Sequence, residues 1–479
     1  MRHLVPSVRW IRLLTGLATL QVCACSAEEE LGPRTYPSSV YDGFQEVAPG
    51  AVDAPFSVTS DTYLRAGADY QLGHVVVSRD ATLLVGAGAR ISGRPSFTCQ
   101  SGTIRFLGTE EHPIVVNSSQ GTGIGVEDGS ILLEHTDIRI PLRLRVEGGS
   151  LSLAHCVIDS VTSANVREGE LVVEFCDDVR VGTIEAWTAA IQVDESSVMV
   201  TTVDCSRTTW SSSGTEITLR DSPDQEAEFD INLLARFDLL QTTLRSESKD
   251  RLEIRIGDAG SASIVDSRVL NCGLFLNLNE VRVDGLELRN AGLSVYRCPG
   301  AILNDVRADS SGFSFGDAEV ALRGARLTDS DLLINHGLLV CHNSAFVATA
   351  EEETELTIGA VPGGDAILLE NCVVLGPVTL ARRDAGASVV LRNSILWVGS
   401  GSDFRYPPEL RFEFCDADSF LLALGEPIEC VSEAPEIDPA SLELAPTSPC
   451  RDRGDWRPRF NDRDGSRNDL GVFGGPGAW

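Results

Sequence analysis

The sequence predicts an all-β fold in which short strands stack into a solenoid, and two observations support this prediction. The first is a repeated phrase: residues 131–138 read I-x-L-x-x-T-x-I, residues 151–158 read L-x-L-x-x-C-x-I, and residues 171–176 read L-x-V-x-x-C. Apolar alternation with a period of two predicts a half-buried strand, and repeats of about 20 to 30 residues are typical of stacked architectures. The second is composition, because 43% of the residues are hydrophobic but only 6% are aromatic. Small and branched side chains stack well from one repeat to the next.

The same phrase recurs through most of the chain. Further copies occupy residues 293–298, 320–327, 338–343, 367–374, 389–396 and 410–415. Polar or acidic insertions at 211–225 and 348–364 separate some copies and predict loops on one side of the solenoid. At about 22 residues for each coil, the repeats between 125 and 420 predict about 14 coils. Ile231–Leu244 is the best candidate for a helix.

Strand and turn signals begin before the clearest repeats. Between residues 63 and 116, apolar runs alternate with Gly-rich turns, and residues 108–114 read G-T-E-E-H-P-I. This combination resembles the first coils of secreted right-handed parallel β-helix proteins with the pectin-lyase-like fold. The resemblance implies a right-handed parallel β-helix solenoid, which we place at residues 61–430. Its strands would pair in parallel with the next coil, at about 4.8 Å.

The final segment, residues 431–479, departs from the repeat. Its short polar phrases come in the order Asp438-Pro439, Ser448-Pro449-Cys450, Gly454-Asp455, Asp462-x-Asp464-Gly465 and Asp469-Leu470-Gly471. This order resembles the C-terminal signature of bacterial surface β-helix proteins of the choice-of-anchor Q type, with Arg453 and Val472-Phe473 as departures. Because the ends of a solenoid must be protected from further strand pairing, we expect this segment to form a C-terminal cap.

Residues 1–25 have the pattern of a targeting segment, with a basic start and a short apolar run. The run ends in Val22-Cys23-Ala24-Cys25, which resembles the lipobox of bacterial lipoproteins. The resemblance implies acylation of Cys25, and Ser26 after it implies the outer membrane or cell surface of a Gram-negative bacterium. An ordinary cleaved signal is the alternative. Residues 26–60, rich in Pro, Gly, Ser and acids, are expected to form a tether.

The charge excludes one class of partner. The chain has 39 basic and 70 acidic residues and a net charge of −31, so it repels phosphate backbones and should not bind nucleic acid. Such a surface is compatible with Ca²⁺ or with uncharged or cationic glycans. We expect a monomer that contacts the membrane only through its lipid.

Thirteen cysteines leave eleven once Cys23 is removed with the signal and Cys25 is lipidated. An odd number requires at least one free or intermolecular thiol. Most of them occupy one phase of the repeat, which favours an inward stack of small buried side chains over disulfides between coils. For Cys156 and Cys176, whose Cα atoms should be about 4.8 Å apart, we predict two free thiols because parallel in-register side chains disfavour the disulfide dihedral.

The residue before the small stacked position is polar or aromatic in several coils, namely His135, His155, His342, Asn371 and Asn393. Because Asn and His are enriched in left-handed backbone, we interpret these residues as corners between strands. A metal or acid–base pair at His135 and His155 is the alternative.

Three carboxylates are weak catalytic candidates. Asp137 and Asp177 share a phase two coils apart, at about 9.6 Å, near the upper separation in inverting glycosidases, and Asp178 follows. These residues resemble the N-T-D and D-D motifs of polygalacturonases, but His135 stands where those enzymes have Asn, and the motifs are two coils apart instead of one. A solvated acidic face is the alternative interpretation.

The C-terminal carboxylates Asp462, Asp464 and Asp469 offer hard oxygens that could ligate a structural calcium ion, although Asp and Gly are also ordinary turn formers. No other cofactor is expected. Two functions remain open at this stage. The first is a non-catalytic surface lipoprotein that binds glycan or another surface partner. The second is a polysaccharide-degrading enzyme, either a glycoside hydrolase or a lyase. The scattered tryptophans and the lack of a convergent catalytic motif favour the first.

Overall fold

The structure is a computed structural model. It describes residues 42–52, 55–118, 120–221, 227–232, 236–248, 252–257, 260–349, 354–358, 365–382, 388–398, 403–405 and 409–478. The predicted signal segment and Cys25 lie outside the described residues. Within the described ranges, no helix has the length and apolar character needed to cross a membrane.

The described chain forms a parallel β-solenoid of about 16 turns, which confirms the predicted fold class. Each turn runs over three faces, named here B, C and A in chain order. In one turn, residues 131–134 lie on face B, 136–138 on face C and 142–147 on face A. Leu133 pairs with Phe106 of the preceding turn and Leu153 of the following turn. Equivalent side chains of successive turns therefore form columns along the solenoid.

Nine of the described strands are long, bend around a corner and belong to two faces. Those shared by faces C and A are Asp69–Val77, Arg90–Cys99, Thr136–Glu147, Val157–Arg167, Val179–Trp187 and Ser197–Ser206, and those shared by faces B and C are Ser261–Leu270, Glu280–Arg289 and Ala301–Asp309.

The remaining strands each belong to one face. Face A contains Phe56–Val58, Thr122–Val126, Glu228–Asn232, Leu252–Gly257, Cys272–Asn277, Gly292–Tyr296, Gly312–Gly316, Asp331–Asn335, Thr354–Ile358, Val378–Arg382 and Asp403–Arg405. Face B contains Gln45–Val47, Thr62–Leu64, Thr82–Gly86, Thr103–Leu107, Ser130–Glu134, Ser150–Ala154, Glu170–Glu174, Ala190–Asp194, Thr209–Ser213, Arg236–Leu240, Glu319–Arg323, Leu338–His342, Asp365–Glu370, Ser388–Arg392, Glu409–Glu413 and Glu426–Ile428. Face C contains Gly50–Val52, Ile114–Val116, Glu216–Leu219, Thr243–Ser246, Arg326–Thr328, Ala345–Val347, Val373–Leu375, Ile395–Trp397 and Asp416–Ala417. Among the described residues, the helices are a short α-helix, Ser419–Leu422, and a 3₁₀ turn, Pro458–Phe460.

Two local predictions were wrong, and strand pairing starts earlier than the predicted β-helix. In the stretch 231–244, the described residues form no helix and include strand residues of faces A, B and C, and Phe237 and Leu239 point into the core. The copy at 338–343 was assigned one residue out of register, because Leu339 and Cys341 point inward. A shift of one residue exchanges the two faces of a strand. Pairing begins at Gln45, inside the segment predicted as a tether. From Ser130–Glu134 to Glu409–Glu413, the described strands of face B, including the three shared with face C, number 14, which agrees with the 14 coils predicted for residues 125–420.

The corner between faces B and C explains the polar residues that precede the small stacked position. His135, His155, Asn371 and Asn393 all adopt positive φ between 45° and 54°, as predicted. In the misregistered copy the corner residue is Asn343 (φ 48°), which replaces His342 in that role. Asn tolerates left-handed backbone better than most side chains, so this corner selects such residues by conformation.

The small residue after the corner forms hydrogen bonds that the sequence did not reveal. Its thiol or hydroxyl donates to the carbonyl two residues earlier, as Cys176 Sγ does to Glu174 (3.2 Å). The same atom accepts the N–H of the equivalent residue in the preceding turn, as between Cys156 N and Cys176 Sγ (3.3 Å). Ser394 Oγ repeats this with the N–H of Cys372 (3.0 Å). A small side chain that donates and accepts satisfies both groups, which favours Ser, Thr and Cys at this position, although Ala325 occupies it in one turn.

All eleven described cysteines are free, and Cys156 and Cys176 are buried. The prediction of two stacked free thiols is confirmed. The hydrogen bond with Cys176 and burial together raise the pKa of Cys156, which keeps this thiol protonated.

The C-terminal segment packs along the side of the last turns. Ala345, Val373 and Ile395 of face C form a small apolar core with it; their partners are Leu442, Cys450, Leu470 and Val472. Three corner asparagines form hydrogen bonds with this segment. Asn343 Nδ2 donates to the carbonyls of Val472 and Gly474, at 3.1 Å each. The side-chain oxygen of Asn371 accepts from Asn468 Nδ2 (3.2 Å), and that of Asn393 accepts from the Asp455 N–H (2.6 Å). The segment predicted as an end cap thus covers a lateral surface.

A buried carboxyl lies beneath this segment. Asp416 has no exposed surface, and Cys450 Sγ donates to its Oδ2 at 3.0 Å. Burial raises the pKa of Asp416 to about 6 despite that hydrogen bond. The attachment of the C-terminal segment therefore includes a group that titrates near neutral pH.

Candidate ligand-binding groove

The first predicted carboxylate, Asp137, is an ion-pair partner of a neighbouring arginine. It lies at the start of face C, only 8% exposed. Arg139, two residues along the same strand, donates from Nε to both oxygens (3.0 and 2.9 Å) and from Nη2 (2.7 Å). Its carboxylate is thus occupied by a charge-assisted, chelating pair.

One turn of the solenoid separates Asp137 from Asp177 and Asp178, as their spacing in the sequence predicts. Asp137 pairs in register with Val157, which is 56% exposed and occupies the turn between the two aspartates. Asp178 lies at a corner with φ of +53° and forms an ion pair with Arg180 at 3.1 Å. The structure therefore places Asp137 beside an exposed valine and pairs Asp137 and Asp178 with arginines.

The C-terminal aspartates bind backbone groups within their own segment. Asp462 accepts the N–H groups of Asp469 (3.1 Å) and Gly475 (2.6 Å). Asp464 accepts hydrogen bonds from the N–H and the hydroxyl of Ser466. Burial raises the pKa of Asp462 and of Asp469. Across the described ranges, no group of three or more His, Cys, Asp or Glu side chains is arranged to hold a metal ion.

Face A carries a groove that the sequence analysis missed. It has a volume of about 560 Å³ and is lined by Asn165, Val166, Arg167, Glu168, Glu185, Ala186, Trp187, Asp204 and Ser206. Two columns of outward side chains form its floor. In the first, Asn165, Glu185 and Asp204 are in register on successive turns; in the second, Arg167, Trp187 and Ser206 are in register.

The aromatic group of this groove is unusually accessible. Trp187 is 51% exposed, whereas Trp210 is buried and Trp397, also in a solenoid strand, is partly buried. The guanidinium of Arg207, which follows Ser206 at the corner, lies 5.9 Å from the Trp187 ring centroid, close enough for a cation–π contact. The remaining indole surface is open to the groove.

The carboxylates beside Trp187 lack the arginines that neutralise carboxylates elsewhere. On other strands an arginine two positions away makes the ion pair, as in Asp137–Arg139 and Glu253–Arg255. The residues two positions on either side of Glu185 are Thr183 and Trp187, and those around Asp204 are Thr202 and Ser206. Like charges on neighbouring strands are destabilising, so the adjacent carboxylates of Glu185 and Asp204 reduce the stability of the fold.

The column that contains Glu185 and Asp204 continues beyond the groove with another acidic residue. Asp204 pairs in register with Asp230, whose Oδ1 is buried without a hydrogen-bond partner in the described part of the chain. On the other side, Asn165 Nδ2 donates to Glu185 Oε2 at 2.9 Å. The groove therefore presents hydrogen-bond acceptors beside an aromatic surface, a combination suited to a ligand with many donors and an apolar face.

The sequence contained a usable signal for this groove, which is the repeat period itself. Asn165 and Glu185 are 20 residues apart and share a column, as the phrase at 151–158 and 171–176 would suggest. Asp204 follows 19 residues later because the turn is one residue shorter. No contiguous motif marks these residues.

Comparison of the chain with models of known protein families and with curated proteins gives no match.

Proposed function

We propose that this protein is a non-catalytic, surface-anchored β-helix lipoprotein that binds a glycan in the groove of face A. The observation that supports this proposal is the exposed indole of Trp187 between columns that contain the unneutralised carboxylates of Glu185 and Asp204. Exposed aromatic surface inside a groove is a mark of a binding site.

The chemistry of a sugar fits this arrangement. A pyranose ring presents C–H groups on one face, which can pack on an indole, and hydroxyl donors at its rim, which carboxylates accept strongly. Three carboxylates and one arginine line the groove, so it should prefer neutral or amino-substituted sugars and repel uronates.

The remaining parts of the proposal concern attachment. The lipobox-like phrase ending at Cys25 would anchor a monomer in the outer membrane, with residues before the first turn as its tether. Affiliation with the pectin-lyase-like β-helices and the choice-of-anchor Q C-terminus rests on the motifs of the sequence. The membrane would be contacted only through the lipid.

The binding proposal is tested with three hexasaccharides of different charge. Isothermal titration should show saturable binding of a chitosan hexamer and of cellohexaose, and any heat from hexagalacturonate should be unaffected by replacement of Trp187 because the groove repels uronates. Trp187→Ala should weaken binding by at least about ten-fold, as for loss of a central aromatic contact. Trp456→Ala, which removes the 62% exposed tryptophan of the C-terminal segment, is the matched control and should change the affinity by less than about two-fold. Equal effects of the two variants would reject the groove as the site.

One observation favours the alternative of a polysaccharide-degrading enzyme. Glu185 and Asp204 lie on adjacent turns, a strand spacing of about 4.8 Å, which is near the carboxyl separation of about 5–5.5 Å in retaining glycosidases. If the protein is a hydrolase, new reducing ends should appear with the wild type and be lost in both Glu185→Gln and Asp204→Asn. Bound oligosaccharide without new reducing ends or unsaturated products supports the binding protein.

A further inference from the structure

A second cleft lies where the C-terminal segment meets the corner of the last turns, and we call it the C-terminal cleft. Its volume is about 540 Å³, and it is lined by Arg323, Gly324, His342, Asn343, Glu370, Asn371, Arg392, Arg459, Phe460, Pro476 and Gly477. The size suits a small-molecule ligand. Its walls come from two parts of the chain that are far apart in sequence.

One wall is a column of charged residues on face B. Arg323, His342, Glu370, Arg392 and Glu413 are paired in register on five successive turns. The guanidinium of Arg392 is neutralised, because it forms ion pairs with Glu370 Oε2 at 3.2 Å and with Glu413 Oε2 at 2.7 Å. Burial alone would raise the pKa of Glu370, but His342 and Arg392 outweigh it and hold the pKa below the usual value. Glu370 is therefore an ionised partner of Arg392.

The other wall brings more positive charge. Phe460 is buried, and its ring is approached by the guanidinium groups of Arg392 (5.8 Å), Arg457 (5.3 Å) and Arg459 (4.6 Å). Arg457 is neutralised by Asp455. Arg459 contacts the ring but no carboxylate within the described residues.

The cleft is therefore positive in a strongly acidic protein. Three arginines and one glutamate line it, which leaves two positive charges in a chain whose net charge is −31. The uncompensated guanidiniums are those of Arg323, from the solenoid, and Arg459, from the C-terminal segment. They face one volume from opposite walls, and no described carboxylate pairs with either.

We propose that the C-terminal cleft binds a small molecule with an oxyanion group, held between Arg323 and Arg459. Guanidinium groups bind carboxylate, sulfate and phosphate oxygens with two donors each. The volume accommodates a body of sugar size attached to that group, such as a uronic acid or a sugar phosphate. Such a ligand would connect the C-terminal segment to the solenoid. The site is separate from the face A groove, and its charge preference is opposite.

The test is isothermal titration of the purified protein, at 20 mM and 150 mM salt, with galacturonate, glucose 6-phosphate, inorganic phosphate and galactose. At least one of the anions should bind saturably at 150 mM salt, and galactose should not bind this cleft. The anion that binds most tightly identifies the source of the oxyanion. Absence of saturable binding by all three anions would overturn the proposal, as would galactose competing for the same site.

Charge variants locate the binding. Arg459→Gln and Arg323→Gln should each weaken it about 10- to 100-fold, as for loss of hydrogen bonds to a charged group. Arg463→Gln, on the same segment, and Arg105→Gln, on face B far from the cleft, remove the same charge at exposed positions and should change affinity by less than about two-fold. Equal weakening by all four variants would indicate general charge attraction and reject the cleft.

A stability measurement provides an independent readout. Because the ligand would bridge the C-terminal segment and the solenoid, saturating anion should slow hydrogen exchange in residues 454–478 of the wild type. The same anion concentration should slow exchange in Arg459→Gln by a smaller factor than in the wild type. Binding without local protection would contradict the bridging geometry.

Discussion

The attachment of the C-terminal segment depends on the side chain of Asn343. The free energy lost when that side chain is removed can be calculated from its hydrogen bonds. Its Nδ2 donates to the carbonyls of Val472 and Gly474 at 3.1 Å, and both bonds are buried. Each buried carbonyl left without a partner costs about 1–1.5 kcal/mol at the lower end of the range. Asn343→Gly, which keeps the left-handed corner without strain, should therefore weaken the attachment by about 2–3 kcal/mol.

Asn343→Ala adds a second, separable cost. The corner has φ of +48°, and a Cβ in left-handed backbone costs about 1–2 kcal/mol. Because the solenoid keeps this corner whether the segment is attached or open, the alanine variant should match the glycine variant in attachment, and it should lose about 1–2 kcal/mol relative to the glycine variant only in the free energy of global unfolding.

Hydrogen exchange measured by mass spectrometry is the appropriate assay, because the segment can open locally without unfolding the solenoid. A loss of 2–3 kcal/mol should accelerate exchange in peptides covering residues 468–478 by about 30- to 150-fold. Asn290→Gly is the control: Asn290 is an exposed left-handed corner that bonds to Asn271. Exchange in Asn343→Gly within about three-fold of the wild type would refute the role given to the asparagine. Clearly different exchange of the segment in the glycine and alanine variants would show that the corner changes conformation when the segment opens.

Three further predictions concern other parts of the chain. Because burial raises the pKa of Asp416 from 3.8 to about 6, its stabilising contribution is complete below about pH 3.8 and is lost as the pH rises through 6. Asp416→Asn should therefore exceed the wild type in urea-unfolding free energy at pH 8 by at most about 3 kcal/mol and match it near pH 4, and a difference independent of pH would contradict this. Cys25→Ser should release the protein from the membrane fraction while Cys23→Ser leaves it bound, and unchanged fractionation of both would reject lipidation at Cys25. Mass mapping of the denatured, alkylated and unreduced protein should find Cys156 and Cys176 each alkylated, whereas a crosslinked peptide pair would show that they form a disulfide.

The inward positions of the solenoid were predictable because they depend on a local pattern. Alternation decides which side of a strand is buried, and the apolar residues at 151, 153, 171 and 173 are all buried. The left-handed corners were predictable for a similar reason, since Asn and His stand where the backbone must turn. The same reasoning failed by one residue at 338–343, where Leu338 and Leu339 are both apolar and the alternation alone does not choose between them.

The hydrogen-bonding role of the small stacked residues required the structure. In the sequence, Cys156, Cys176 and Ser394 indicated only small size. Stacked turns showed that each thiol or hydroxyl bridges a carbonyl of its own turn and, at Cys176 and Ser394, an N–H of the preceding one. This hydrogen bonding involves two neighbouring turns, so a single copy of the repeat does not reveal it.

By itself, the sequence determined the fold class, the inward stripes and most corners, because burial and left-handed backbone are properties of short segments. Only the tertiary structure decided which outward side chains become neighbours. Glu185 and Asp204 meet because one turn is a residue shorter than the one before it, and Asn343 reaches Val472 across 129 residues of chain. Outward residues do not follow an apolar pattern, so the sequence does not show which of them align, and their columns depend on the exact length of every turn. The position of the C-terminal segment depends on long-range contacts that no local pattern encodes.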